Sequence, residues 1–110
     1  MNRGSLLRIG EVAKMYHLSV ELLRYYDKIG LLKPEIVDSD SGYRYYGVKQ
    51  LEHLNLIRFA RTMDIPLERI AKYFHNPQVE NLLDMLNEQQ AALERRKKEI
   101  LSLQHKLNDK

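Results

Sequence analysis

Starting at Val79, apolar residues recur every seven positions, at Leu86, Leu93, Ile100 and Leu107. The interleaved positions are Leu82, Gln89, Arg96 and Leu103, half of them apolar. A seven-residue repeat held this long predicts a coiled-coil helix. At 1.5 Å per residue such a helix is roughly 43 Å long and runs past any globule the preceding residues can build. Its apolar stripe then has nothing in the same chain to cover it, and an isolated helix gains little stability alone. Two covers are open: a second copy of the chain, or a domain absent from this one. The second copy is the simpler, which makes Val79, Leu82, Leu86, Leu93, Ile100, Leu103 and Leu107 the expected dimerisation residues. Gln89 and Arg96 interrupt the seam with polar groups, a device that fixes register at some cost in stability.

The residues before this helix follow a different pattern. Ile9, Val12, Ala13 and Tyr16 fall at i, i+3, i+4, i+7 and predict a short amphipathic helix over about 9–16. His17-Leu18-Ser19 makes a tight break, and Ser19 is a good N-cap for a second helix with Glu21 at the positive end of its dipole. Leu23, Tyr26 and Gly30 share one face, and Gly30 suits a left-handed helix end. Two short helices joined by such a turn form a helix-turn-helix. Pro34 blocks continuation. Glu35–Asp38 and Tyr43–Tyr46 flank the turn formers Ser39-Asp40-Ser41-Gly42 and predict an antiparallel hairpin. A lone hairpin does not hold itself together in water, so it packs on the helices or lies on a partner. Gly47 opens a third helix over about 48–62 with a stripe at Val48, Leu51, Leu54 and Ile57. Pro66 suits the first position of a fourth, where Leu67, Ile70, Ala71 and Phe74 repeat the helical spacing. Met1–Ser5 reads as a flexible lead-in.

Charge is unevenly placed. The formal net charge is +3. Residues 1–75 hold 12 Lys or Arg against nine Asp or Glu, whereas residues 76–110 hold six of each. This excess permits a polyanionic partner without demanding one. Cysteine is absent, which removes disulfides, thiol catalysis and thiolate metal sites and fits a reducing cytoplasm. His17, His53, His75 and His105 show no ligand-like spacing. No phosphate loop, nucleophile elbow or Ser/His/Asp set is visible, so neither an enzyme nor a cofactor is expected. No apolar run nears the ~18 residues of a membrane span.

Arg-Tyr-Tyr occurs twice, at Arg24-Tyr25-Tyr26 and Arg44-Tyr45-Tyr46. A helix-turn-helix offers the start of its second helix to the major groove, here Val20, Glu21 and Arg24. Arginine and tyrosine donate to phosphate oxygens. One cluster falls on the second helix and the other on the hairpin, so the two can grip a duplex on either side of an inserted helix. The competing reading makes the tyrosines core aromatics. It is favoured for Tyr26 and Tyr46, and DNA contact is favoured for Arg24, Tyr25 and Arg44. Alternation along the strand places Tyr43 with Tyr45 on one face and Arg44 with Tyr46 on the other, one tyrosine pair facing inward.

RIGEVAKMYHLSVELLRYYDKIGLLKP, then VDSDSGYRYYGVKQLEHL, then IPLERIAKYF and a heptad helix together resemble the MerR family of bacterial transcription regulators, over residues 8–110. The branch it most resembles senses small organic molecules. The resemblance implies a mainly α fold with a small β-hairpin: a winged helix-turn-helix domain over 1–76, then a long antiparallel coiled-coil dimerisation helix over 77–110. The hairpin would be the first wing, and the third and fourth helices the second. It implies a homodimer on double-stranded promoter DNA that bends and untwists a pseudo-palindromic operator, acting on RNA polymerase through the promoter. Carried over by position, the family's DNA contacts fall on Arg24, Tyr25, Tyr43, Arg44 and Arg61. Ile36 stands where the first wing often carries a basic residue, and Asp64 where the second often carries glycine. A small-molecule effector would need a further domain beyond Lys110, and the metal-sensing branch's cysteines are missing. Two alternatives remain: an architectural or excisionase-like DNA binder, and a coiled-coil interaction module that binds no DNA.

Overall fold

The computed structural model describes residues 4–109, so Met1–Arg3 of the expected lead-in lie outside it. The chain divides into two compact units, one ending at Thr62 and the other beginning at Met63.

In the first unit the order is β1 (Leu7–Arg8), α1 (Ile9–Tyr16), α2 (Val20–Lys28), β2 (Ile36–Val37), β3 (Arg44–Tyr46) and α3 (Val48–Thr62). Local chemistry sets each boundary. Glu11 reaches back to accept the Arg8 N–H at 2.9 Å and opens α1. His17 takes a left-handed φ of 55° at its end, and the Leu18 N–H bonds Ala13 O at 2.9 Å. Two residues on, the Ser19 hydroxyl accepts the Leu22 N–H at 3.0 Å, as expected of an N-cap. Gly30, at φ 78°, turns the chain out of α2, and the N–H groups of Leu31 and Leu32 both bond Tyr26 O. This fold-back sends Leu31 and Leu32 into the core.

The hairpin turn is organised by Asp38. Its carboxylate accepts the Asp40 N–H at 3.1 Å and the Ser41 hydroxyl at 2.9 Å, and its carbonyl accepts the Gly42 N–H at 2.7 Å. The two side-chain bonds hold the exposed Asp38 carboxyl below its ordinary range, the Asp40 N–H chiefly. Gly42, at φ 75°, closes the turn.

A third strand joins this hairpin. β3 lies centrally, antiparallel to both neighbours, with Leu7 opposite Tyr46, Arg8 opposite Tyr45, and Ile36 also opposite Tyr45. The expected alternation needs correcting. Tyr45 and Tyr46 are both buried, at 5% and 1% exposure, whereas Tyr43 is 49% exposed. Successive strand residues point to opposite faces, so both faces of β3 are covered, with α1 and α3 packed against it. Tyr26 and Tyr46 are core aromatics. They sit among Val12, Leu23, Leu32, Leu54 and Ile57, each under 2% exposed. Val48 leaves the expected α3 stripe: it stands in the helix's first turn, 66% exposed.

In the second unit α4 (Leu67–His75) and α5 (Val79–Asn108) pack together. Asp64 takes the left-handed conformation itself, at φ 59°. Pro66 is the N-cap of α4, one place before the first helical residue expected for it. Ile65, Ile70 and Met85 are buried. Gln89 donates to Met63 O at 2.8 Å, and Arg69 pairs with Glu88. The first half of α5 is therefore partly spoken for inside its own unit: Met85 buries, and Leu82, Leu86 and Gln89 are half-buried. Beyond Ala92 every described residue is exposed, including Leu93, Ile100, Leu103 and Leu107. Among the described residues no helix is long and apolar enough to cross a membrane.

Candidate nucleic-acid interface

Ser19 caps α2 so that Val20 and Glu21 begin its first turn, Glu21 exposed and Val20 half-buried. Leu23 and Tyr26 bury one side of this helix, which leaves Arg24 and Tyr25 on the outside, Tyr25 49% exposed. The rings of Tyr25 and Tyr26 are tilted at 47° with centroids 6.4 Å apart. Neighbours in sequence thus take opposite duties, one in the core and one at the surface.

Arg24, Tyr43 and Arg44 line one open cleft of about 390 Å³, together with Arg8, Ile9, Gly10, Glu11 and Gly42. Residues from α1, α2 and the hairpin converge there. Three guanidinium groups and the face of Tyr43 make a site suited to a phosphodiester, with one carboxylate, Glu11, already engaged at the α1 start. Arg8 stacks its guanidinium 4.5 Å from the Tyr43 ring centroid, a cation–π contact that steadies the wing residue. Arg44 is half-buried and donates from Nε to Asp27 Oδ2 at 3.1 Å. Val20, Glu21 and Tyr25 are not among the residues lining this cleft.

Arg61 lies apart from it. It lines a second opening of about 350 Å³ with Leu18, Tyr26, Arg58 and Thr62. Arg58 stands 5.3 Å over the Tyr16 ring, so this opening too carries two arginines. Burial raises the Tyr26 hydroxyl pKa above its ordinary value, with the Arg61 charge opposing.

Arg8, Asp27 and Arg58 went unremarked in the sequence reading. Arg8 carries a signal: it is the N-cap of α1, where a cation opposes the helix dipole and a small polar residue is favoured. Arg58 repeats the pattern of an exposed arginine beside a tyrosine. Asp27 carries a signal too, an acid in the last turn of α2 where the dipole disfavours it, although the partner that explains it is 17 residues away. On α5 the proposed seam is exposed at Val79, Leu93, Ile100, Leu103 and Leu107 and half-buried at Leu82 and Leu86.

These features define a winged helix-turn-helix of the kind found in bacterial regulators, followed by a long helix. Residues 7–76 match the MerR HTH family of regulatory proteins, and residues 51–110 match the MerR DNA-binding region. The chain belongs to the MerR family. It is 43% identical over 100 residues to the multidrug-efflux transporter 1 regulator of Bacillus subtilis (strain 168), which covers 91% of this chain and 35% of that protein. The chain thus spans about a third of that relative's length. The crystal structure of the N-terminus of MtaN, the Bacillus subtilis multidrug transporter activator, superposes with a TM-score of 0.83 at 25% identity, covering 93% of this chain and 94% of that one. EcmrR in its DNA complex superposes with a TM-score of 0.70 at 26% identity, over 94% of this chain and 39% of that one.

Proposed function

We propose that this chain is a dimeric, sequence-specific DNA-binding transcription regulator that grips a pseudo-palindromic operator inside a promoter and reshapes it. The observation that carries the reading is the cleft shared by Arg24, Tyr43, Arg44 and Arg8, where the second helix of the helix-turn-helix meets the wing. Phosphate contacts from both sides of an inserted helix fix its register in the major groove. Val20 and Glu21 would then face base edges, and Tyr25 and Arg61 would reach the backbone on either side. Residues 1–76 form the DNA-binding part and 77–110 the dimerisation helix, pairing antiparallel. Two recognition helices at a fixed separation predict operator half-sites about one helical turn apart or a multiple of it. Bending and untwisting between the half-sites would let RNA polymerase use the promoter, which is how shape becomes regulation. A cytoplasmic location follows from that role. Two of the relatives, both from Bacillus subtilis, are a multidrug-efflux transporter regulator and a multidrug transporter activator, so an effector of this chain, held by a further domain, would be a small organic molecule.

The test is a mobility-shift titration on duplexes recovered by selecting bound genomic fragments, repeated from about 50 to 200 mM salt. Affinity should fall steeply with salt, and Arg44→Ala should weaken binding to every sequence while reducing the logarithmic salt slope by about 0.9, one phosphate's worth. A parent chain that shifts no duplex overturns the reading. Arg44→Ala binding like the parent overturns the wing assignment.

A further inference from the structure

Asp27, beside this site, carries a charge that opposes the function. It lies on α2 with its side chain 21% exposed, and a carboxylate beside a duplex repels phosphate. Yet it ties the recognition helix to the wing strand: Oδ2 accepts from Arg44 Nε at 3.1 Å. Its other oxygen stands 3.8 Å from Lys33 Nζ, a mostly exposed partner.

A guanidinium is a planar fork of five donors in fixed geometry. A contact at Nε restricts its orientation and leaves the far edge, between the two terminal nitrogens, open to a second acceptor. An arginine has much rotamer freedom to lose on binding, and a side chain already held loses less of it when the partner arrives. Arg44 lines the cleft with Arg24, so its orientation decides whether both can reach one stretch of backbone. Resting on the DNA-binding reading, we propose that Asp27 is a positioning residue: it pre-sets Arg44 so that its outer edge meets a backbone phosphate at a fixed offset from Arg24.

Removing the Asp27 charge has two opposed effects. Charge alone tightens DNA binding, because a repulsive group is gone. Loss of positioning weakens it. The experiment uses the full chain and a duplex recovered by selection, with Asp27→Asn, Asp27→Glu, Arg44→Ala and the Asp27→Asn/Arg44→Ala double variant compared by fluorescence anisotropy. Asp27→Asn should weaken binding about tenfold, the loss of one charge-assisted contact, and lower the salt slope as Arg44→Ala does. The double variant should bind no more weakly than Arg44→Ala, and Asp27→Glu should recover part of the loss by restoring a carboxylate. Asp27→Asn binding as tightly as the parent or tighter overturns the proposal, and so does a tenfold loss that persists undiminished on the Arg44→Ala background. Should Asp27→Asn not stay folded in thermal melts, Arg44→Lys decides: a lysine cannot be held at one edge while presenting another, so it should bind like Arg44→Ala, and binding like the parent overturns the idea. A parent chain that binds no duplex sinks the DNA-binding reading and this inference together, whereas a binding parent with an indifferent Asp27→Asn sinks the inference alone.

Discussion

Tyr46→Phe should make the protein more stable. Tyr46 is 1% exposed on the central strand, and its hydroxyl has no hydrogen-bond partner among the described residues. A buried hydroxyl stripped of water and left unpaired costs about 1–3 kcal/mol. Phenylalanine keeps the ring and removes the oxygen. The space vacated is about one atom, so the surrounding contacts lose only a small part of that gain. A net stabilisation of about 1 kcal/mol results, which in a domain of this size raises Tm by about 4–8 °C. Circular-dichroism melts at neutral pH measure it.

A second arm of the same experiment uses pH. Burial raises the Tyr46 pKa above its ordinary 10.0, the nearby Asp27 charge adds to the shift, and Arg44 and Arg24 oppose it. The folded protein thus holds this proton more tightly than the unfolded chain does. Its contribution to stability is complete below the ordinary value and is lost as pH rises through the folded one. Phenylalanine has no such proton, so the gap between variant and parent should widen as pH climbs above 10.0. Tyr26, also shifted upward, is common to both proteins and cancels. A variant that melts below the parent at neutral pH, or a gap that stays flat above that pH, refutes the reasoning.

Leu93 on the exposed part of α5 is 47% exposed, so covering it in a dimer contributes about 1 kcal/mol per copy. Leu93→Asp removes that from both copies and buries two carboxylates, which should weaken dimerisation at least ~30-fold; sedimentation equilibrium of the variant showing the parent's mass at all concentrations rejects the pairing. His53 has its pKa lowered from 6.5 by burial and by Lys49, with Glu52 opposing. A depressed histidine contributes stability above 6.5 that is lost as pH falls through the folded value, so His53→Gln should flatten the decline of Tm on the acid side, and parallel curves for the two proteins count against it.

What the sequence made legible is what local chemistry controls. Ser19, Gly30 and the Asp38–Gly42 turn sit where their side chains or φ angles require them, and so α1, α2 and α3 begin and end close to where the spacing places them. β1 was not legible, because two residues show no period and exist as a strand only through pairing with Tyr45 and Tyr46. The same pairing explains why both tyrosines are buried: a hairpin read alone has one covered face, while a central strand between helices has two. The heptad on α5 was legible as a period but not as a division of labour. Met85, off the seam, packs within the second unit, and Gln89, on the seam, is tied to Met63 O, so only the later repeats stand wholly open for a second copy. Asp64 adopts the left-handed turn that glycine would take more easily, so that turn is imposed on its residue by the surroundings rather than chosen by it. The candidate site shows a different kind of gap. Arg8 caps a helix whose dipole disfavours it, and Asp27 puts a negative charge where phosphates would lie. Neither choice is explained by the helix it belongs to, and each is explained by the wing: Arg8 stacks on Tyr43, and Asp27 holds Arg44. A residue that breaks a local rule without local compensation is therefore the sequence signal by which such partners can be found, because the energy lost in one element has to be recovered in contact with another.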